Sequence, residues 1–476
     1  MTNNLQEKLF ALFHKHYVAY PQEMTELAAS GSNRKYYRLR LGDKTTIAAF
    51  NNDEKENQAF VSFTQQFAKA GLPVPIILEE NLAEDIYLIN DLGDETLFSY
   101  LETHRQEGFS EKQMDLYKNV LGDLLRFQFD TLNTFDYTAC YPRESFDKQS
   151  MMWDLNYFKY YFLKLAGIHF DEQKLEDDFI TFSDYLLQTD CNYFLYRDFQ
   201  SRNIMIHENK LYYIDYQGGR KGALQYDVSS LLYDAKADIP QETREKLLDY
   251  YIDLLQQKTR INAEDFRKYY YGYVLIRIMQ AMGTYGFRGF YENKTHFLKS
   301  IPFAVANLKW IVQHSELPVE LPTLKDVFYQ IISSEKLKKF DTVTAETITV
   351  FVNSFSFKKG YPVDSSGNGG GFVFDCRALP NPGRYEAYKS LTGKDEAVKV
   401  YLEQYPEIET FFESSSNLAC QSVENYIERG FTSLMISYGC TGGQHRSVYF
   451  AERLGRHIRE KYNIKVKVIH KEQTGI

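Results

Sequence analysis

The chain has 476 residues, 44% of them hydrophobic and 25% charged, with a net charge of −9. That length exceeds what one hydrophobic core organises and points to two or three folded units, while the composition excludes a disordered chain. The acidic balance excludes a surface coated with basic residues for DNA, though not a local basic patch.

No run approaches the roughly 20 apolar residues of a membrane-crossing helix, so no membrane partner is expected. Cys140, Cys191, Cys376, Cys420 and Cys440 are odd in number and lack metal-ligand spacing, which fits a reducing, cytoplasmic location. The N-terminus mixes Leu5, Leu9, Phe10, Leu12 and Phe13 with Glu7, Lys8, His14 and Lys15, an amphipathic pattern rather than a signal peptide. The 38 Tyr and 35 Phe are chiefly core residues by the usual burial of aromatics.

In chain order, residues 1–27 read as a helix. Residues 34–50 read as two strands joined at Leu41-Gly42-Asp43-Lys44, because β-rich residues flank a turn glycine. Residues 54–70 read as a helix stopped by Pro73 and Pro75, and Ile86–Ile89 as a strand. From Glu95 to about Leu187 the pattern is helical. Residues 194–216 give strand, polar loop, strand, and helical periodicity resumes from Tyr226 to about Lys339. The composition shifts near 340–346. A strand (Thr347–Phe355), a Gly-rich stretch (Ser365–Gly371), a strand (Phe372–Cys376), helices near 394–412 and 417–429, a strand (Ser433–Tyr438), a helix (Ser447–Lys461) and a strand (Lys465–Ile469) follow. Such strand–helix alternation predicts an α/β unit with a mostly parallel sheet.

The most informative run is Tyr196-Arg197-Asp198-Phe199-Gln200-Ser201-Arg202-Asn203, followed by Ile214-Asp215-Tyr216. Phosphoryl transfer needs a carboxylate that orients the attacking hydroxyl and accepts its proton. It also needs hard oxygen ligands that hold Mg²⁺ on the phosphates. Asp198 suits the first role; Asn203 and Asp215, five and seventeen residues on, suit the second. Each alone is more often a turn former; the ordered triplet behind a β-rich lobe carries the kinase reading.

On these residues the sequence resembles the aminoglycoside-phosphotransferase superfamily. The resemblance implies ATP and Mg²⁺ as cofactors, Asp198 as catalytic base, Asn203 and Asp215 as metal ligands, and Asp227 of Tyr226-Asp227-Val228 as a brace for the catalytic loop. The small-residue turn Gly31-Ser32-Asn33 with Arg34 would approach the nucleotide phosphates. Asp91, in Asn90-Asp91-Leu92-Gly93, would lie at the link between lobes where adenine binds. The stretch Thr46–Phe50 lacks the strand lysine of protein kinases; Arg38, Arg40 or Lys44 could substitute. Together with 31–39, 90–96, 197–205 and 214–217, the Arg277–Pro302 segment resembles the anomeric amino-sugar kinases of cell-wall recycling (the AmgK type). This implies N-acetylmuramate or N-acetylglucosamine as substrate. Trp153, Asp154 and Tyr157 could face a sugar, although their helical spacing fits core and surface positions as well.

Cys440-Thr441-Gly442-Gly443-Gln444-His445-Arg446-Ser447 lies between a buried strand and a helix. Small residues, a helix N-terminus and an arginine make an anion cradle, without the Gly-Lys-Ser/Thr of a Walker loop. Cysteine, five residues and Arg-Ser is also the spacing of cysteine-dependent phosphatases. Residues 347–470 more closely resemble the C-terminal domain of the RNase adapter protein RapZ, on Phe355-Ser356-Phe357-Lys358, Phe374-Asp375-Cys376-Arg377, Leu379-Pro380-Asn381-Pro382 and the Gly439–Val448 run. This implies a sugar-phosphate or nucleotide-sugar ligand. RNA is the weaker reading of the basic residues from Arg453 to Lys471, a solvated helix face the stronger.

The expectation is an α+β bilobal protein-kinase-like domain (residues 1–340; small lobe about 1–92, large lobe about 93–340) followed by a smaller α/β domain (347–476). The expected function is an amino-sugar kinase with a ligand-sensing C-terminal domain. The alternatives are a ligand-sensing or RNA-binding adapter with a non-catalytic kinase lobe, and a bifunctional kinase and cysteine-dependent phosphatase.

Overall fold

The structure, a computed structural model, describes residues 2–27, 34–105, 108–292, 294–340, 348–364, 366, 370–428, 431–462 and 464–473. The chain divides into two compact units, Met1–Phe287 with Ser300–Leu337, and Arg288–Lys299 with Lys338–Ile476.

The first unit begins with a five-stranded antiparallel sheet of order β1-β2-β3-β5-β4. Its strands are β1 (Glu23–Glu26), β2 (Lys35–Leu41), β3 (Lys44–Phe50), β4 (Ile77–Asn81) and β5 (Ile86–Asn90). β2 and β3 form the expected hairpin; Gly42 takes φ 59° in its two-residue turn, a conformation open to glycine. The first helix, Thr2–Tyr17, lays Leu9, Leu12 and Phe13 against Leu39, Ala48 and Leu88 of the sheet. It ends earlier than the predicted residue 27. Val18 turns to φ 54°, and Gln22 bonds to Arg40 as the chain enters β1. Pro21 also interrupts the helical pattern. The helix Glu54–Lys69 is capped by Asp53, whose carboxylate accepts from the Glu56 N–H.

The rest of this unit is mainly helical. Its principal helices are Glu111–Phe129, Lys148–Tyr157, Glu172–Leu186, Leu224–Leu232, Gln241–Lys258, Ala263–Tyr285, Ile301–His314 and Pro322–Ser333. Four short strands interrupt them: β6 (Tyr193–Leu195), β7 (Ile204–His207), β8 (Lys210–Tyr213) and β9 (Arg220–Gly222). β7 and β8 form a hairpin, and β9 returns to pair with β6. Aromatic rings fill the space beneath them, as the composition predicts. Phe67 packs within 5.3 Å, centroid to centroid, of Phe127, Phe135, Phe194 and Tyr216, joining the small-lobe helix to the strands below.

The second unit holds a four-stranded sheet of order β11-β12-β10-β13, built from β10 (Thr349–Ser356), β11 (Gly371–Asp375), β12 (Ser433–Cys440) and β13 (Lys465–His470). Every pairing is parallel, so all four carboxyl ends lie along one edge. Val350, Val352, Leu434 and Ile436 form its core with Phe450, Leu454 and Ile458 of the helix Arg446–Tyr462. One helical boundary differs from expectation: the break falls between Glu396–Glu403 and Pro406–Glu428. Proline suits a first helical position. Ser414, Ser415 and Ser416, read as a break, instead donate to carbonyls three or four residues back and stay helical. Among the described residues no helix is long and apolar enough to cross a membrane.

Gly286 follows the helix Ala263–Tyr285. A Cβ there would lie 2.1 Å from the Tyr161 carbonyl oxygen, in the π-helical segment Phe158–Leu163. Gly286→Ala should therefore destabilise the fold by about 1–3 kcal/mol, the usual cost of overpacking. A shift in the urea midpoint would measure it; an unchanged midpoint would mean that the crossing has slack.

Candidate functional site

β6 runs into Tyr196, Arg197 and Asp198. Asp227, in the wholly buried helix Leu224–Leu232, accepts the N–H of Tyr196 at 2.7 Å and of Arg197 at 3.0 Å. Arg197 adopts φ 78°, and its guanidinium donates to the Asp154 carboxylate at 2.9 Å. The Tyr196 hydroxyl donates to the Ile214 carbonyl at 2.6 Å, tying the loop to the residue before Asp215. A 3₁₀ turn, Ser201–Asn203, follows; both the N–H and the hydroxyl of Ser201 donate to Asp234, at 3.2 and 2.6 Å.

This scaffold brings the predicted triplet together. Asn203 Nδ2 donates to the Asp198 carbonyl at 2.8 Å and to Asp215 Oδ2 at 3.2 Å. Gln217 Nε2 donates to Asp215 Oδ1 at 2.8 Å. Asp215 takes φ 69°, a left-handed conformation in which Asp is among the better tolerated residues. Burial, and after it the charge of Asp198, pushes the Asp215 carboxyl above its usual range. The Asp198 side chain remains 39% exposed. It borders a cavity of about 110 Å³ whose wall includes Arg202, Asp234, Arg277, Gln280 and Asn307. Arg277 Nη1 stands 3.9 Å from Asp198 Oδ1.

The small lobe contributes Arg34, just before β2 and 3% exposed. Its Nη2 lies 3.1 Å from Glu56 Oε1. Gly31, Ser32 and Asn33, the rest of the expected phosphate turn, lie outside the described residues. The Asp91 carboxylate is engaged by Arg38 Nε and Nη2, at 2.6 and 3.0 Å, and by the Gly93 N–H at 2.9 Å. The side chain therefore braces the segment after β5.

In the second unit the predicted cradle sits at the carboxyl end of β12, where parallel α/β sheets commonly place ligands. Cys440 Sγ accepts from the Gly443 N–H at 3.2 Å and lies 3.2 Å from the Ser447 hydroxyl. Gly443 takes φ 71° in a tight space: a Cβ there would meet the Ser356 nitrogen at 2.9 Å. Thr441, Gly442 and Gln444 are exposed, whereas Cys440, Gly443, His445, Arg446 and Ser447 are buried. The His445 ring bonds to the Tyr388 carbonyl at 2.8 Å. Arg446 Nη1 donates to the carbonyls of Arg377 and Leu379, at 2.9 and 2.7 Å, so this guanidinium clasps the loop after β11. Asp375 is gripped by Arg377 through two contacts at 3.0 Å and one at 2.7 Å.

Residues 23–265 match the phosphotransferase enzyme family, 243 of the chain's 476 positions (265 − 23 + 1). The chain belongs to that family. Residues 348–474 match the RapZ C-terminal domain. Curated relatives include nucleotide-binding proteins of Bacillus cytotoxicus, 42% identical, and Bacillus thuringiensis, 41% identical. Each alignment covers 127 residues, 27% of this chain and 42% of the relative, so the chain spans about two fifths of their length. Similar solved structures include the aminoglycoside phosphotransferase APH(4)-Ia (12% identity, TM-score 0.42, covering 63% of this chain and 99% of that one). Another is the Plasmodium vivax ethanolamine kinase (9% identity, TM-score 0.45, 60% and 81%).

Asp215, and Asn203 through its amide oxygen, could hold a divalent cation such as Mg²⁺, which takes hard oxygen ligands; the Asn203 amide nitrogen now donates to Asp215. Sequence reasoning missed Glu56, Asp234 and the Asp154 clamp on Arg197, all of which act across long sequence separations. It quoted Gln217 and Arg277 only within motifs. Trp153 is exposed.

Two outcomes test this geometry. Asp198→Asn should cut turnover about 100-fold or more while MgATP binding survives, because only the proton acceptor is lost; near-normal turnover would remove Asp198 from the chemistry. Asp227→Ala leaves two buried N–H groups unpaired and should cost about 2–6 kcal/mol at 1–3 for each, readable by chemical denaturation.

Proposed function

We propose that this chain is an ATP- and Mg²⁺-dependent kinase that phosphorylates the anomeric hydroxyl of N-acetylmuramate or N-acetylglucosamine. In this reading its C-terminal unit senses an amino-sugar phosphate or a nucleotide sugar. The observation that carries the proposal is the polar cavity beside Asp198. Arg202 and Arg277 stand in its wall with Asp234, Gln280 and Asn307. The two guanidiniums balance the two carboxylates, Asp198 and Asp234, so the wall lacks the acidic excess that would favour a polycationic aminoglycoside. Their forked donors suit ring hydroxyls, an acetamido oxygen or a carboxylate.

Asp198 orients the sugar hydroxyl toward the γ-phosphate and takes its proton as the new O–P bond forms and the bond from the γ-phosphorus to the β,γ-bridging oxygen breaks, releasing ADP. Arg277 Nη1 flanks Asp198 in the cavity wall, 3.9 Å from its Oδ1. Asn203 and Asp215 would hold Mg²⁺, which when bound neutralises charge on the phosphates. Asp227 and Asp154 keep the loop in place, so Asp198 needs no reorganisation when substrate arrives. The intact triplet favours a working kinase over a non-catalytic adapter.

The second unit supports binding more than hydrolysis. Cys440, with the N–H of Gly443 and the hydroxyl of Ser447, resembles half of a thiol-phosphatase site. Arg446 is committed to backbone carbonyls, and Asp375, the nearby acid, is paired with Arg377.

A screen of the full chain over sugars, aminoglycosides and choline, with the phosphorylated carbon assigned by NMR, tests the acceptor. Amino sugars should be turned over fastest and carry phosphate on the anomeric carbon. An aminoglycoside phosphorylated faster would sink the sugar reading and leave the family assignment intact. For the second unit, no steady phosphate release from a sugar phosphate is expected; release that disappears in Cys440→Ser would make the protein bifunctional.

A further inference from the structure

In the second unit, a group of rings stands beside the turn after β12. The segment after β10 is tied to that turn: the Phe357 N–H donates to the Cys440 carbonyl at 3.1 Å, and the Ser356 hydroxyl to the Thr441 carbonyl at 2.7 Å. Phe355 and Phe357 crowd Gly439, the residue before Cys440, so that a Cβ there would strike both rings. Tyr361 packs on the same pair, 5.8 Å from Phe355 and 5.7 Å from Phe357 between centroids. It is nevertheless 67% exposed.

The Arg377 guanidinium lies 4.0 Å over the Phe357 ring. Its Nε and Nη2 donate to the Asp375 carboxylate, and half of the side chain is exposed. A planar guanidinium gripped at its edge, with a ring beneath it, keeps its other face for stacking. Tyr361 is near enough to act on its charge. Asp375 balances that charge, as Glu472 balances Lys359. The surface beside the turn is therefore flat and close to neutral, which suits an uncharged aromatic ring better than a second phosphate.

The turn itself has an unmet donor. Arg446 is 3% exposed, and its Nε has no hydrogen-bond partner among the described residues. A buried donor left unpaired is costly, and an anion held in the turn offers it an acceptor. The Nη1 of the same arginine donates to the Arg377 carbonyl at 2.9 Å, so the turn and the stacking plane are joined through one side chain.

We propose that the second unit takes a nucleotide sugar in preference to a bare sugar phosphate, its base stacked on Tyr361 and the Arg377 plane and its diphosphate on the exposed turn at Thr441 and Gly442. Stacking on aromatic and guanidinium faces accepts any base, because every base has a π-face.

This inference rests on reading the second unit as a ligand sensor, not on the kinase's acceptor. It is tested by calorimetric titration of the full chain with UDP-N-acetylglucosamine and with N-acetylglucosamine 1-phosphate. Excess MgADP and N-acetylglucosamine occupy the first unit throughout. The nucleotide sugar should bind at least tenfold more tightly than the sugar phosphate. Tyr361→Ala should weaken nucleotide-sugar binding about tenfold and leave sugar-phosphate binding within twofold; Tyr361→Phe, which keeps the ring, should match the parent. A Cβ on Gly442 meets nothing within 4 Å, so Gly442→Asp places a negative charge on the turn without a packing conflict and should weaken both ligands tenfold or more. Circular dichroism reports folding of each variant. Should Tyr361→Ala not fold, Arg377→Gln takes its place, with nucleotide-sugar binding expected to weaken at least fivefold. Sugar-phosphate binding as tight as that of the nucleotide sugar overturns the inference and keeps the sensor reading. So does a folded Tyr361→Ala or Arg377→Gln protein that weakens both ligands alike or neither. Unchanged binding in Gly442→Asp overturns the placement of the phosphates. A parent chain that binds neither ligand strikes the sensor reading itself.

Discussion

A carboxylate with no exposed surface, Asp227, is the constraint on which the catalytic loop depends. Burial pushes its carboxyl up to about 7, against the pull of the two backbone N–H groups it accepts. Those two bonds hold the turn in which Arg197 takes a left-handed conformation and Asp198 follows facing the cavity. Buried charge is costly unless it is well bonded, and the bonding here fixes direction. The ring cluster below, with Tyr196 against Phe127, Phe199 and Tyr216, gives the loop a rigid floor. Local precision in the site thus follows from the unusual wealth of tyrosine and phenylalanine in the composition.

What could be read in the sequence was what lies close together in it. Asp198, Asn203 and Asp215 fall within one strand–loop–strand passage, and their residue types betray their chemistry. The parallel sheet of the second unit announces itself through long apolar strands alternating with helices. The missed strands, β1, β4, β7 and β9, have three to five residues each, and they exist only as partners of other strands: β9 forms because β6 is there to receive it. Glu56 and Gln217 are separated by 161 residues, and nothing local in Glu54-Lys55-Glu56 distinguishes an ion-pair partner from an ordinary acidic first turn. Arg446 was legible as a cation at a helix start. Its engagement with carbonyls 67 and 69 residues away was not, because backbone acceptors leave no trace in residue identity.

The two units solve one placement problem differently. In the phosphotransferase unit, short strands and a buried carboxylate suspend polar groups beside a cavity. In the RapZ-type unit, four parallel strands end along a common edge, and the turn after β12 is pinned from three sides. Ser356 bonds to the Thr441 carbonyl at 2.7 Å, Gly393 to the Gln444 carbonyl at 2.9 Å, and His445 to Tyr388. Only Thr441, Gly442 and Gln444 are left facing solvent. The turn is therefore preformed, and whatever it meets encounters backbone already in position.

The third strand of the small lobe presents no side-chain amine to the interior, and this changes how the lobe can be approached chemically. A lysine beside bound phosphates is a nucleophile, and reagents that deliver an acyl group or an aldehyde to nucleotide pockets depend on it. Arg34 is protonated at any pH the fold tolerates, and Ala48 and Ala49 offer no nucleophile on the neighbouring strand. Amine-directed covalent reagents should therefore find no target on the inner face of this strand, where a strand lysine would react, a difference of reactivity rather than of shape.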